Sequence, residues 1–427
     1  MIFYLRYDDA YSGIYSSQVI DVVHFLRTDL KQTIKLVAFV SLRNYRDEKR
    51  KIKSELTDAV VLPMFPGVKR WRKNTFLLRL YCGLKKPEMI IGRSVMATQL
   101  ALMVKNNRIR TVVYDGRGAI AAEWKEYGVV KEPGMLNEIF ELEKEVVLAS
   151  DSRIAVSKKL VEHWQTNFNY SGQSHVVIPC TLNKVFTENL ISEESIRASR
   201  HKLGLLENDI VFIYSGSVAG WQSFELLYDF IAPLLKEANC KMVFLADKDA
   251  NILKLEKEFP GKVICRKVSA KEVPSCLLAG DYGLLIRENY ITNKVASPVK
   301  FAEYLSCGLQ VIISEELGDY SGFVNKHACG SIYTNFGNAV KTDLTIKLRN
   351  QKLAFENFIK KRLIVADNVN NSLVFTTVDD IYLKFTEWYN GCNYKKLPNI
   401  DDFLENMVEK FGPTDNNKWR GISFSAM

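Results

Sequence analysis

Asp281-Tyr-Gly-Leu-Leu-Ile-Arg-Glu-Asn-Tyr-Ile-Thr-Asn-Lys-Val-Ala-Ser-Pro-Val-Lys-Phe-Ala-Glu-Tyr-Leu-Ser-Cys-Gly-Leu-Gln-Val-Ile-Ile313 is the stretch whose reading decides the fold. Tyr282–Ile286 is a short apolar run of the kind buried in a parallel sheet. A polar loop follows. Ser297 is a natural helix N-cap and Pro298 a natural first helical residue. Lys300 and Glu303 then fall three apart on one helical face, and Gly308 ends the helix. The next strand, Gln310–Ser314, begins at once. Strand, helix and strand in this space make a βαβ crossover. The spacing brings a helix start, Lys300, Glu303 and the strand-end Arg287 to one spot. Arg287, Lys300 and the helix amides would neutralise a diphosphate, and Glu303 would accept hydrogen bonds from a ribose diol. A capped helix with an exposed Lys–Glu pair gives the same spacing without a ligand.

The alternation continues on both sides. Upstream strands are expected at Ile2–Tyr7, Ile34–Val40, Ala59–Met64, Met89–Ile91, Thr111–Tyr114, Arg153–Val156 and His175–Ile178, and later ones at Ile210–Ser215, Lys241–Ala246 and Lys262–Cys265. Amphipathic helical stretches lie between them, which predicts an α/β chain of two doubly wound, Rossmann-like parallel sheets facing a cleft. A length of 427 residues suits two such domains better than one core. The seam falls in Pro179–Leu205, giving a first domain at 1–185 and a second at 186–370. Ser372–Tyr389 has the apolar spacing of a helix, so 371–427 is expected to be a helix returning to the first domain, followed by a polar tail.

Composition narrows the class. The chain is 47% hydrophobic and 25% charged, which is ordinary for a soluble globular protein. No run reaches the roughly 18 apolar residues of a membrane span, and MIFYLRYDDAYSG does not read as a signal peptide. Eight scattered cysteines suit reduced thiols in cytoplasm. The net charge of +9 is concentrated: residues 43–86 hold 13 basic against 4 acidic side chains. Such a segment attracts phosphate, whether on a phosphorylated acceptor, a lipid headgroup or, non-specifically, a nucleic acid. No module for specific nucleic-acid recognition is present. The five histidines lack zinc spacing, and there is no Walker A or G-x-S-x-G motif. The first strand is not followed by G-x-G-x-x-G, which argues against an NAD-dependent dehydrogenase. Asp247-Lys-Asp249 has the form of a D-x-D metal signature, but it ends a strand in the second domain, where chance is the better reading.

With its neighbours, the opening segment resembles the GT-B glycosyltransferases, in particular the GT4-like (group 1) families. The shared pattern is a strand, a loop, a helix carrying Glu303, and Cys307-Gly-Leu-Gln-Val-Ile312. Ser150–Ser157 resembles the last first-domain strand ending in a serine, and Val177–Phe186 the linker. Leu203–Ser217 resembles the start of the nucleotide domain, and Val273–Asp281 the V-P-x-x-L-x-x-A-D helix. In the first domain Tyr114–Glu123 is similar to a D-x-R-G…E element. Two positions depart from the family: Val295 stands where the first acid of E-x7-E is usual, and Ser217 stands for an arginine in a glycine loop that here carries no lysine.

The resemblance implies a metal-independent, retaining transfer of a sugar from a nucleotide diphosphate to a hydroxyl, with no cofactor. The acceptor would be a lipid-linked glycan, in surface-polysaccharide assembly at the cytoplasmic membrane face. It also implies that Gly216 and Ser217 approach the donor and that Gly13 with Ser16 faces the diphosphate across the cleft. Asp115, Arg117 and Glu123 would meet the acceptor, where a carboxylate positions or deprotonates a hydroxyl; an Asp–Arg loop brace is the plain alternative. Lys69, Arg70, Trp71, Arg72 and Lys73, leading into Phe76, Leu77, Leu80 and Tyr81, mix basic and aromatic side chains as a membrane-interface helix does. A GT-B-type nucleotide-sugar epimerase and a non-catalytic sugar-nucleotide or glycan binder share these features.

Overall fold

The computed structural model describes residues 1–7, 10–65, 68–130, 133–180, 182–186, 191–216, 223–327 and 329–333, and after these only 363–365, 375–377, 403–404, 407–408, 418–420 and 422–424. Two parallel sheets form its core. The first comprises β1 (Ile2–Tyr7), β2 (Ile34–Ser41), β3 (Val60–Met64), β4 (Met89–Arg93), β5 (Thr111–Gly116), β6 (Ser152–Ala155) and β7 (His175–Val177), in the order β3-β2-β1-β4-β5-β6-β7. The second comprises β8 (Ile210–Ser215), β9 (Cys240–Leu245), β10 (Val263–Cys265), β11 (Tyr282–Leu285), β12 (Gln310–Ser314) and β13 (Gly330–Tyr333), in the order β10-β9-β8-β11-β12-β13.

Both faces of each sheet are covered by helices, so the strands are apolar throughout. In β1, Phe3, Leu5 and Tyr7 pack into one cluster and Tyr4 into the opposite one. In β8, Val211 and Ile213 face one way, Phe212 and Tyr214 the other. This period of two across a doubly buried strand is what a parallel α/β sheet requires. Strand order reverses beside β1 and beside β8, and ligands of open α/β sheets bind outside the carboxyl ends at such switch points. The loop after β8 carries Gly216 and the loop after β11 carries Arg287, so both lie at the second switch point.

The expected strands are all present, within a residue or two at their ends. The edge strand β13 was not foreseen; at Gly330 an added Cβ would lie 1.9 Å from the Val311 carbonyl oxygen, which leaves room only for glycine. Near the carboxyl end, Leu363–Val365 pairs with Ile422–Phe424 and Phe375–Thr377 with Lys418–Arg420, both antiparallel. Phe375–Thr377, inside the helix expected at Ser372–Tyr389, is therefore strand; the rest of that helix and its return to the first domain lie outside the described residues. No helix among the described residues is long and apolar enough to cross a membrane, and the seven described cysteines are all free thiols.

The two domains touch through directed bonds. Ser157 Oγ donates to the Val295 carbonyl (2.7 Å), and the Cys180 amide donates to Ser297 Oγ (2.9 Å). Asp319 accepts from the Lys158 and Lys159 amides at the start of helix Lys158–Phe168 (2.7 and 3.2 Å). Within the first domain, Asn183 Nδ2 donates to Asp21 (2.6 Å), which ties the linker down.

Candidate active site

The site is built on the carboxyl edge of the second sheet. Gly216 follows β8 with φ +124°, a left-handed region that favours glycine. A Cβ there would sit 2.4 Å from Lys300 Nζ, so the missing side chain also admits the lysine. Lys300 extends from the first turn of helix Val299–Ser306, its Nζ 4.5 Å from the centre of the Tyr214 ring and 3.5 Å from the Tyr214 hydroxyl. Burial, then the nearby Arg287 charge, push its ammonium down to about 7. Glu303, one turn on, is pushed up by burial against the pull of Lys300.

Arg287 is fixed at its backbone: its amide donates to Ser314 Oγ, and that hydroxyl donates back to the Arg287 carbonyl, both at 2.7 Å. Among the described residues its side chain has a single long hydrogen bond, to Asn293 Oδ1 at 3.4 Å, and its buried Nε has no partner. Among the described residues no carboxylate pairs with this guanidinium, which burial holds below its ordinary value. Tyr304 locks the helix onto the strands: its hydroxyl accepts from the Ser215 amide (3.0 Å), and its ring occupies the space left by Gly283, where a Cβ would come within 2.3 Å. Two cations, a glycine turn and a helix start thus converge, as the spacing predicts. A group carrying two or more negative charges would relieve the mutual repulsion of Arg287 and Lys300 and complete the bonding of Arg287 Nε.

Several details differ from the sequence reading. The helix starts one residue later, with Pro298 as its cap residue in extended conformation. Ser297 does not cap it. Its hydroxyl is 2.8 Å from the Tyr320 hydroxyl and accepts from Cys180, so it serves the domain contact. Val295 is buried, and its carbonyl accepts from Ser157, so this position serves the domain contact. Ser217 lies outside the described residues. Asp247 pairs with Lys267 and Asp249 caps helix Ala250–Glu258 through Ile252 N. No group of three or more possible metal-ligating side chains occurs among the described residues.

In the first domain Asp115 is the hub of a buried network. Its Oδ2 accepts from the Tyr4 hydroxyl (2.7 Å) and Arg93 (3.2 Å), and its Oδ1 from Arg117 (3.3 Å). Arg117 and Arg93 hold its carboxyl below the ordinary range despite burial. The geometry makes Asp115 a brace. Arg117 in turn reaches Gln18 Oε1 (3.3 Å) and Cys180 Sγ (3.0 Å), so it ties the helix after β1 to the linker. Glu123 differs: half-buried and raised by burial, its carboxylate has no hydrogen-bond partner among the described residues. It shares a helical face with Glu126 and Tyr127, which touch the second domain. Gly13 is exposed, with open space where a Cβ would be, whereas Ser16 Oγ donates to Glu55 (2.6 Å) in helix Tyr45–Glu55. Ser16 is therefore engaged within its own domain. Sequence reasoning missed Tyr214, Glu126, Tyr127 and Asn293; Tyr214 and Asn293 fall inside stretches quoted above, but no local pattern singles out any of the four.

The basic segment also resolves differently. Trp71 is only 7% exposed and packs in the first core against Tyr7, with Arg72 over its outer face at 4.8 Å. It is a core residue, not a membrane anchor, and Arg72 is paired with Glu138. Arg70 and Lys73 are exposed; the Lys69 side chain lies outside the described residues. What helix Thr75–Lys85 does expose is a stripe of Phe76, Leu80 and Leu84, at 71, 57 and 70%.

No family model and no curated protein sequence matches the chain. Solved structures do. A glycosyltransferase from Rickettsia africae superposes with a TM-score of 0.59 at 14% identity over 82% of this chain and 88% of that one. Anabaena HepE, solved with UDP and glucose, gives 0.59 at 13% identity over 96% of this chain and 98% of its own. Sucrose-phosphate synthase from Thermosynechococcus elongatus gives 0.61 at 12% over 83% and 92%. With two parallel-sheet domains in contact and a switch point in each, the chain has the GT-B fold shared by these glycosyltransferases.

Proposed function

We propose that this protein is a glycosyltransferase that moves a sugar from a nucleotide-diphosphate donor to a hydroxyl of a glycan acceptor. The observation that carries the reading is the pairing of Arg287 with Lys300 beside Gly216: two neighbouring cations, one with no carboxylate partner among the described residues, at the switch point of a GT-B second domain. Departure of the nucleotide diphosphate is the electrostatic problem of the reaction. Preorganised cations and helix amides are suited to it, because they need no reorganisation as charge develops. In this reading Arg287 and Lys300 hold the diphosphate, and no metal or cofactor is required. Glu303 accepts from the ribose, Gly13 closes from the first domain, and Glu123 meets the acceptor hydroxyl while Asp115 and Arg117 hold the loop. Retention of configuration follows the GT4-like resemblance.

The acceptor we propose is lipid-linked, with the protein working at the inner membrane face in surface-polysaccharide assembly. The stripe Phe76–Leu80–Leu84 spans about 12 Å along its helix, with Lys73, Arg79, Lys85 and Lys86 exposed around it, which suits an anionic bilayer surface. The start of this helix is tied to the cleft edge. Asn74 Oδ1 accepts from the amide of Phe65, an exposed residue just past β3 (2.8 Å).

A thermal-shift panel of nucleotide sugars, followed by product analysis with the stabilising donor, tests the proposal. A donor should stabilise the wild type by mass action. Lys300→Met and Glu303→Gln should lose that stabilisation and turnover while still melting cooperatively. A panel with no stabilising donor, or full turnover in both variants, would overturn it. Binding without transfer to any acceptor would favour the non-catalytic binder, a reading to which the buried Val295 lends some support.

A further inference from the structure

The first domain reaches the surroundings of Arg287 through the end of one helix, where Glu126 and Tyr127 are both half-buried. Glu126, at the end of helix Ile120–Glu126, accepts from the Ile291 amide (2.8 Å), the Thr292 amide (3.0 Å) and Thr292 Oγ1 (2.6 Å). These bonds seat the one-turn helix Ile291–Lys294 of the second domain against the first. The next residue, Tyr127, stacks edge-on against Tyr290 (5.8 Å), and its hydroxyl accepts from Asn293 Nδ2 (2.9 Å). Asn293 is 2% exposed, its Nδ2 also donates to the Glu288 carbonyl (3.0 Å), and its Oδ1 takes the guanidinium of Arg287. An amide has one oxygen and one nitrogen end. Tyr127 and Glu288 fix which end is which, and so fix the oxygen toward Arg287.

We infer that Tyr127 and Glu126 are positioning residues for Arg287, acting through Asn293, so that the donor-binding cation is aligned only while the domains are together. This rests on the donor site proposed above. Arg287 has no other side-chain hydrogen bond among the described residues, so nothing else shown there fixes its rotamer. The coupling is reciprocal: whatever closure adds to diphosphate affinity, a bound diphosphate adds to closure. The arrangement would bind the donor weakly in the open form and tightly in the closed one, where water is excluded.

Calorimetric titration with inorganic pyrophosphate tests the relay in the full-length wild type, Tyr127→Phe, Arg287→Gln and the double variant. Tyr127→Phe removes one hydroxyl and keeps the ring against Tyr290. It should weaken binding about three- to tenfold, the scale of one hydrogen bond. Arg287→Gln should weaken it further, and the double variant should match Arg287→Gln alone within about twofold, because the hydroxyl acts only through the arginine. A purely structural contact would give multiplying losses. Wild-type affinity in Tyr127→Phe, or losses that multiply in the double variant, would overturn the relay. If Arg287→Gln binds pyrophosphate as tightly as the wild type, or the wild type does not bind it, the donor site itself is wrong and the relay falls with it.

Discussion

Diphosphate binding by the wild type should depend on pH, and replacing Lys300 with methionine should abolish that dependence. In the free protein, burial and the Arg287 charge bring the Lys300 ammonium from its ordinary 10.5 down to about 7. A bound diphosphate adds negative charge beside it and should draw it back up. Between the two values, binding takes up one proton, so affinity falls by up to about tenfold for each unit of rising pH. From pH 7.5 to 9 the loss is about thirtyfold at most; below that range the terminal phosphate itself titrates, near 6. The stability of the unliganded protein should show the opposite trend. Its unfolded chain keeps the lysine proton up to 10.5, so the unfolded state holds more protons between about 7 and 10.5, and stability rises with pH through that window. Titration calorimetry with UDP, in two buffers of different ionisation enthalpy at each pH, reads the proton uptake directly. An affinity that does not change between pH 7.5 and 9, or the same slope in Lys300→Met, would refute the reasoning.

Gly216→Ala should cost about 1–3 kcal/mol in urea unfolding, from the left-handed backbone alone, and should weaken donor binding as well, because the new Cβ displaces Lys300. Trp71→Ala should cost about 3–5 kcal/mol, as expected of a buried tryptophan, and leave co-sedimentation with anionic vesicles unchanged. The triple variant Phe76→Ser, Leu80→Ser, Leu84→Ser should do the reverse, losing vesicle binding while unfolding within about 1 kcal/mol of the wild type, since all three side chains are exposed. Exchange of those two outcomes would return the membrane contact to Trp71. Asp115→Ala should cost about 3–5 kcal/mol by leaving buried Arg93, and half-buried Arg117, without their shared counter-charge.

The two sheets were legible because a doubly buried parallel strand has to be apolar on both faces, and runs such as Ile210–Ser215 and Tyr282–Leu285 have no other plausible use. The convergence of Gly216, Arg287 and Lys300 was legible for a related reason: each lies at a strand end or helix start, and topology brings those ends together. Side-chain fate was harder. Trp71 sits among four basic residues and looks amphipathic, yet a 3-10 segment kinked at Arg70 turns its ring into the core. Ser297 has the local signature of an N-cap, but a partner 117 residues away claims its hydroxyl. Helix Tyr45–Glu55 has no apolar stripe; Ile52 and Glu48 are its buried residues, so periodicity could not mark it. Glu126, Tyr127 and Asn293 act across domains, and no local pattern encodes that.

A crystal structure with a nucleoside diphosphate bound tests the central claim most directly. Its two phosphates should lie within hydrogen-bond reach of the Arg287 guanidinium and Lys300 Nζ, against the Gly216 turn, with Asn293 still holding Arg287. Phosphates seated elsewhere in the cleft, or Arg287 and Lys300 turned away from them, would contradict it.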